Sequence, residues 1–109
     1  MENYIIIGGD KRQTVLYDLL IANGKNAAYM TLPDLENIAS YSHIILPVPV
    51  SKDKENIYCS KADFILPLSK LKEKLTSEQT VFGGGFTATF RAELEKEGVK
   101  CFDFMNVFI

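Results

Sequence analysis

Histidine and cysteine are scarce in this chain, and no stretch of it is strongly basic or long and apolar. The single histidine, His43, stands at the start of an apolar run. A zinc site or a Ser-His-Asp triad built on it has no support, and a nucleophile–base pair has no base. The two cysteines, Cys59 and Cys101, lie far apart and form no C-x-x-C or Cys/His pairing. They read as structural thiols of a cytosolic protein. The net charge is −2 and Lys and Arg are not clustered, which argues against a nucleic-acid partner, since phosphate binding needs grouped cations. The longest apolar stretch, Ile44 to Val50, is interrupted by Pro47 and Pro49. It falls far short of the ~20 residues that cross a bilayer. Glu2 and the want of a basic region before a hydrophobic segment leave no secretory signal. A cytoplasmic chain without membrane or metal is the expectation.

What is present is an ordinary globular mixture, 47% apolar and 24% charged over 109 residues. That length makes one domain, which buries roughly 60–70% of its unfolded surface and needs no staples. The most telling stretch is the opening Tyr4-Ile5-Ile6-Ile7-Gly8-Gly9-Asp10-Lys11-Arg12-Gln13. It reads as a buried strand that breaks on two glycines and opens a helix.

The pattern continues in the same alternation. Strand one is predicted over Asn3 to Ile7 and a helix from about Arg12 to Asn23. That helix places Val15, Leu19 and Ala22 on one face with Leu16 and Leu20 beside them, and Gly24 at its left-handed cap. Strand two follows over Asn26 to Met30. Asp34, after the turn Thr31-Leu32-Pro33, is placed to cap a short helix through Ser40. Strand three, His43 to Leu46, ends where Pro47 cannot donate to a ladder. The polar stretch 51–61 is either a surface loop or a small hairpin pairing Ile57-Tyr58-Cys59 with Phe64-Ile65. A helix from about Ser69 to Leu75 shows Leu68, Leu71 and Leu75 at helical spacing. Strand four, Gln79 to Phe82, runs into Gly83-Gly84-Gly85. A last helix from Thr87 or Ala88 to Glu97 packs Phe86, Phe90 and Leu94 and stops at Gly98, before strand five, Val99 to Phe102. The apolar tail from Met105 to Ile109 continues into no further element.

Strands alternating with helices imply a mostly parallel sheet with right-handed crossovers, and five strands suit the flavodoxin-like order 2-1-3-4-5 in a three-layer, Rossmann-like α/β sandwich. That order gathers Gly8-Gly9-Asp10, Pro47-Val48-Pro49 and Gly83-Gly84-Gly85 at the carboxyl edge of the sheet. Free N–H groups, a helix start and the cations Lys11 and Arg12 would make an anion-accepting crevice there. Equally, both glycine clusters can simply make tight strand-to-helix turns. Asp10, Thr87 and Thr89 suit helix caps better than chemistry.

Enzyme classes fall away in turn. A dinucleotide fingerprint needs a third glycine, absent from Gly8-Gly9-Asp10-Lys11-Arg12-Gln13. A nicotinamide site wants an acidic residue at the end of strand two, where Tyr29, Met30 and Thr31 stand. A phospho-receiver domain wants an aspartate where Pro47 stands, and a flavodoxin wants a hydroxyl-rich loop after strand one. Alone, the chain is not a complete enzyme, and no catalytic residue can be assigned.

The run Ile6-Ile7-Gly8-Gly9-Asp10-Lys11-Arg12-Gln13, followed by Ser42-His43-Ile44-Ile45-Leu46-Pro47-Val48, resembles the N-terminal domain of the A subunit of dipicolinate synthase. That family opens on a strand ending Gly-Gly-Asp-x-Arg-Gln, and later shows an Ile-Leu-Pro segment, a short hairpin and a glycine-rich turn after strand four. The resemblance implies the substrate-side domain of a two-domain oxidoreductase of spore-forming bacteria, located in the mother-cell cytoplasm. Its NAD(P) would sit on a C-terminal Rossmann domain expected beyond Ile109, and its partner would be a flavoprotein-like B-type subunit. The reaction implied is oxidation of a dihydrodipicolinate-type precursor to dipicolinate, which this domain alone could not perform. On that reading Arg12 and the amides near Gly9 and Asp10 hold a carboxylate of a small dicarboxylate substrate. Gly8, Gln13, Pro47 and Val48 belong to the same wall, and Gly83 and Gly84 leave room opposite. The alternative is a stand-alone module without activity. It would bind a small anion, or dock on a protein through its apolar tail and Pro47-Val48-Pro49-Val50.

Overall fold

The computed structural model of the chain describes residues 2–104. Five parallel strands form one sheet in the order β2-β1-β3-β4-β5, as expected. The strands are β1 (Asn3–Ile7), β2 (Asn26–Met30), β3 (His43–Ile45), β4 (Thr80–Gly83) and β5 (Lys100–Asp103), with helices α1 (Lys11–Ala22), α2 (Leu68–Lys74) and α3 (Ala88–Lys96) between them. Observed and expected ends agree to within a residue or two. The apolar tail, residues 105–109, lies outside the described residues.

Side chains alternate across a strand, so each strand serves two faces. Ile5, Ile7, Ile44, Leu46 and Val81 join Leu68 and Leu71 of α2, Leu75 just past its end, and Phe90 and Leu94 of α3 in the main core. Ile6 and Ile45 are also buried but belong to the opposite face, where α1 lies against β1 and β2. Capping follows the sequence. The Asp10 carboxylate accepts from Arg12 N–H at the start of α1, and Thr87 Oγ1 accepts from Phe90 N–H at the start of α3.

One expectation needs correction, one alternative is decided, and one helix face is placed. Asp34 caps no helix: its carboxylate accepts from Glu36 N–H, an Asx turn, and only the 3-10 turn Ile38–Ser40 follows. A side chain that bonds the backbone two residues on competes with helix formation. Of the two readings of stretch 51–61, the surface loop holds: in place of the pairing of Ile57-Tyr58-Cys59 with Phe64-Ile65 there is an antiparallel bridge, Asn56 to Pro67, with Ile57 N–H donating to Leu66 O. The predicted apolar face of α1 is not its buried one. Its buried residue is Gln13, while Val15 and Leu19 are exposed.

Candidate functional site

The strand order reverses direction between β1 and β3, and the ends of those two strands make the crevice in which open α/β sheets take ligands. A depression of about 160 Å³ lies there, lined by Gly9, Asp10, Arg12, Gln13, Pro47 and Val48. The topology thus brings together most of the residues singled out above.

Arg12 is the cation of this depression, with its side chain 67% exposed. It is held in one orientation by a fork: Nε donates to Asp10 Oδ1 and Nη2 to Asp10 Oδ2, each at 3.0 Å, and Nη2 also donates to Val48 O at 2.6 Å. Among the described residues Nη1 has no partner. The charge is therefore oriented but already paired. An incoming carboxylate must use the Nη1 edge or displace Asp10, whose carboxylate keeps other donors in Tyr58 OH at 3.1 Å and Arg12 N–H at 3.0 Å. The hydrogen bonds from the Arg12 side chain, then from its backbone, hold the Asp10 carboxyl well below the usual carboxylate range. Burial, then the bond to Asp10, pushes the Tyr58 hydroxyl up, so it serves as a neutral donor at pH 7.

Tyr58 is the residue that sequence reasoning missed, because the stretch carrying it shows no periodicity. Segment 58–60 lies over the glycine turn: Tyr58 O accepts from Gly9 N–H at 2.7 Å, and Ser60 N–H donates to Gly9 O at 2.9 Å. The Gly9 amide expected to face a ligand is spent in this way. Gln13 is a tie rather than a ligand in this geometry. Its Nε2 donates to Ile7 O at 3.3 Å and Ile45 O at 3.4 Å, joining the ends of β1 and β3 beneath the depression. Gly8 borders a second hollow of about 140 Å³ on the β2 side of the turn, shared with Lys11, Thr14, Tyr29, Ser60 and Lys61.

The space at Gly83 and Gly84 is not open to a ligand. A Cβ on Gly83 would stand 2.6 Å from Val50 Cγ2, and one on Gly84 2.6 Å from Val48 Cγ2. The amides that follow, Gly85 and Phe86, donate to the Asp103 carboxylate at 3.0 and 3.1 Å. The second glycine turn therefore packs against the chain's own 47–50 segment and binds the chain's own anion. Gly84→Ala is expected to cost about 1–3 kcal/mol, as overpacking does, and to cost much less in a Val48→Ala background. A double-mutant cycle read by urea denaturation checks this, and additive effects would contradict it.

Larger hollows run along α2 and α3, crossed by the Lys72–Glu93 ion pair. They lie away from the switch point. Among the described residues no group of three or more His, Cys, Asp or Glu side chains could hold a metal, and no helix is long and apolar enough to cross a membrane. Burial first, and Glu95 nearby, push the Cys101 thiol up to about 11, so it stays protonated at neutral pH.

Known proteins share this architecture. The model of the family described as the N-terminal domain of the dipicolinate synthase A subunit matches residues 3–105. The chain is similar in structure to dipicolinate synthase, A chain, from Bacillus subtilis, with a TM-score of 0.71 at 18% identity, over 94% of this chain and 39% of that one. It is also similar to the A subunit of dipicolinate synthase from Bacillus halodurans, with a TM-score of 0.72 at 16% identity, over 95% of this chain and 40% of that one. At those identities the structural likeness is one of fold, and the chain spans about two-fifths of each of these proteins. No curated protein sequence matches it.

Proposed function

The chain belongs to the family of N-terminal domains of the dipicolinate synthase A subunit, and from that premise we propose that it forms the substrate-side wall of the cleft in a two-domain oxidoreductase. The reaction proposed is the oxidation of a dihydrodipicolinate-type precursor to dipicolinate, in the cytoplasm of a sporulating cell and alongside a flavoprotein-like second subunit. The observation that carries the reading is the switch-point depression with an oriented, exposed Arg12 on its wall.

This domain's own residues do not fit a nicotinamide dinucleotide. The glycine turn lacks its third glycine, and the Gly9 amide that could meet a pyrophosphate is bonded to Tyr58 O. NAD(P) is accordingly assigned to a separate Rossmann domain. What the residues of this chain do is bind and orient. Arg12 offers a planar fork suited to a carboxylate, which a lysine would not match. Asp10 and the Val48 carbonyl fix that fork before the ligand arrives. Pro47 and Val48 form an apolar flank against which a flat ring can lie, and closure against a second domain would exclude water.

Arg12→Ala is expected to weaken binding of pyridine-2,6-dicarboxylate roughly 10- to 100-fold, since charged hydrogen bonds contribute about 1.5–3 kcal/mol. The melting temperature should barely move, because the side chain is exposed. Isothermal titration calorimetry beside a thermal melt checks both, and an unchanged affinity removes the substrate role. Retained binding by the 109-residue chain alone would favour a free-standing anion-binding module.

A further inference from the structure

We propose that the hollow on the β2 side of the glycine turn is a phosphate-binding site, distinct from the Arg12 depression, that takes inorganic phosphate or the phosphoryl end of a larger molecule. Its first cation comes from the helix start. Lys11 and Arg12 are consecutive on α1, so they leave the helix about 100° apart. Arg12 turns to Val48 at the switch point, whereas Lys11 borders the hollow of about 140 Å³ on the other side of the turn. The two spaces have only Gly9 and Asp10 in common. The second cation arrives from far along the chain. A bridge between Gly9 and Cys59 lays segment 59–61 beside the turn, and this brings Ser60 and Lys61 to the same hollow.

The charge there is unanswered. Among the described residues neither Lys11 nor Lys61 has an ion-pair partner. Asp10 is the one carboxylate on the wall, and its acceptor positions are taken. Oδ1 accepts from Arg12 N–H and Nε, and Oδ2 from Arg12 Nη2 and Tyr58 OH. Its charge is thus matched by Arg12 and does not offset the lysines. The Tyr29 hydroxyl is spent on Gly8 O. Ser60, Thr14 and Thr31 add hydroxyls that can donate. Met30 and Phe64, both buried, also line the space, and such low-dielectric walls lessen the screening of the two charges.

The kind of cation selects the anion. A lysine ammonium is a compact charge with three donors in no fixed plane, which suits an oxyanion that presents oxygens in several directions. A planar carboxylate is better met by an arginine fork, as at Arg12. Size agrees. At ~30 Å³ per water, about 140 Å³ is room for roughly five waters, enough for one phosphate with part of its hydration. It is well short of the ~300 Å³ at which pockets begin to enclose a whole organic ligand. A larger molecule enters by its phosphoryl end only.

The test is a titration of the 109-residue chain with inorganic phosphate at constant ionic strength, followed by the amide NMR shifts of Lys11, Thr14 and Ser60. The shifts should saturate. Lys11→Gln and Lys61→Gln should each weaken binding roughly tenfold, and Lys70→Gln, on the distant helix α2, should leave it unchanged. Both substituted lysines are exposed, so the variants should keep the fold. Phenyl phosphate distinguishes the sources. Binding like that of inorganic phosphate identifies the phosphoryl end of a larger molecule, and exclusion identifies the free ion. Shifts that do not saturate, or that survive both lysine substitutions, overturn the proposal. So does an equal response of the same amides to pyridine-2,6-dicarboxylate, which would make the hollow part of the carboxylate wall. Saturable phosphate binding, with unchanged dicarboxylate affinity in Arg12→Ala, would leave this site standing and remove the substrate role of Arg12.

Discussion

Gly8→Ala is expected to destabilise the domain by about 3 kcal/mol or more, which would be a substantial share of the roughly 5–15 kcal/mol that such domains have. Two costs combine. Gly8 has φ +66°, a left-handed conformation that costs an alanine roughly 1–2 kcal/mol. The new Cβ would also stand 2.7 Å from both Ile57 Cγ2 and Tyr58 O, and one of these neighbours is backbone, so the overlying segment must move at a further ~1–3 kcal/mol. Gly24→Ala separates the two terms. Gly24 has φ +73° with nothing within 4 Å of its Cβ position, so it should show the conformational cost alone, about 1–2 kcal/mol. Guanidinium denaturation of both variants gives the difference. If they cost the same, segment 57–60 does not press on the glycine turn. The site should fail with the fold, because displacing that segment breaks the Tyr58 bond to Asp10 and releases the cover of Gly9.

That turn also shows how far the sequence could be read. The strand ending in Gly8-Gly9, and the helix opening at Asp10, depend on local chemistry: a buried strand, a left-handed turn and an N-cap. Such features are legible from neighbouring residues, and the strand order followed from the alternation of elements. What was not legible depends on partners distant in sequence. Nothing near Tyr58 indicates that its backbone will bond Gly9, or that its hydroxyl will find Asp10, 48 positions away. The choice between a loop and a hairpin could not be made from the sequence for the same reason: segment 57–60 finds its partner in the glycine turn rather than in Phe64-Ile65. The helical spacing of Val15 and Leu19 correctly marked an apolar stripe, but periodicity cannot say what the stripe faces.

The candidate site divides along the same line. The residues that line the depression came from a motif and a topological rule, and both placed Arg12, Pro47 and Val48 at the switch point. The surroundings of Gln13, Gly83 and Gly84 needed coordinates. A glycine invites a ligand in a sequence, but here the missing side chains make room for Val50 and Val48. Asp103 already fills the amide pocket after β4, as an external anion would.

At the opposite end of the sheet, Gln79→Leu is expected to cost about 3–5 kcal/mol while leaving the shape of the switch-point depression intact, because several buried partners are lost at once. Gln79 is almost fully buried. Its Nε2 donates to Ile38 O at 2.8 Å and Tyr41 O at 2.7 Å, and its Oε1 accepts from Thr76 N–H at 2.9 Å. One side chain thus ties the β2–β3 connection to the turn before β4. Leucine has similar bulk but leaves Tyr41 O and Thr76 N–H without a partner and Ile38 O with only the Tyr41 N–H, at about 1–3 kcal/mol for each group that stays dry. Gln79→Glu distinguishes this from a packing effect. A carboxylate facing two carbonyl oxygens is disfavoured, so the folded state should raise the new group's pKa above its unfolded value near ~4.3. The folded state then binds more protons than the unfolded state, and stability falls as pH rises from about 4.3 toward the folded pKa. Urea denaturation of Gln79→Glu between about pH 4 and 8 should show that decline relative to the unsubstituted chain. A pH-independent difference would mean that Gln79 acts through its volume. This tie lies at the amino ends of the strands, and Arg12 lies at their carboxyl ends. Dicarboxylate affinity measured on folded Gln79→Leu should therefore match that of the unsubstituted chain, which separates the residues that hold the sheet from those that meet a ligand.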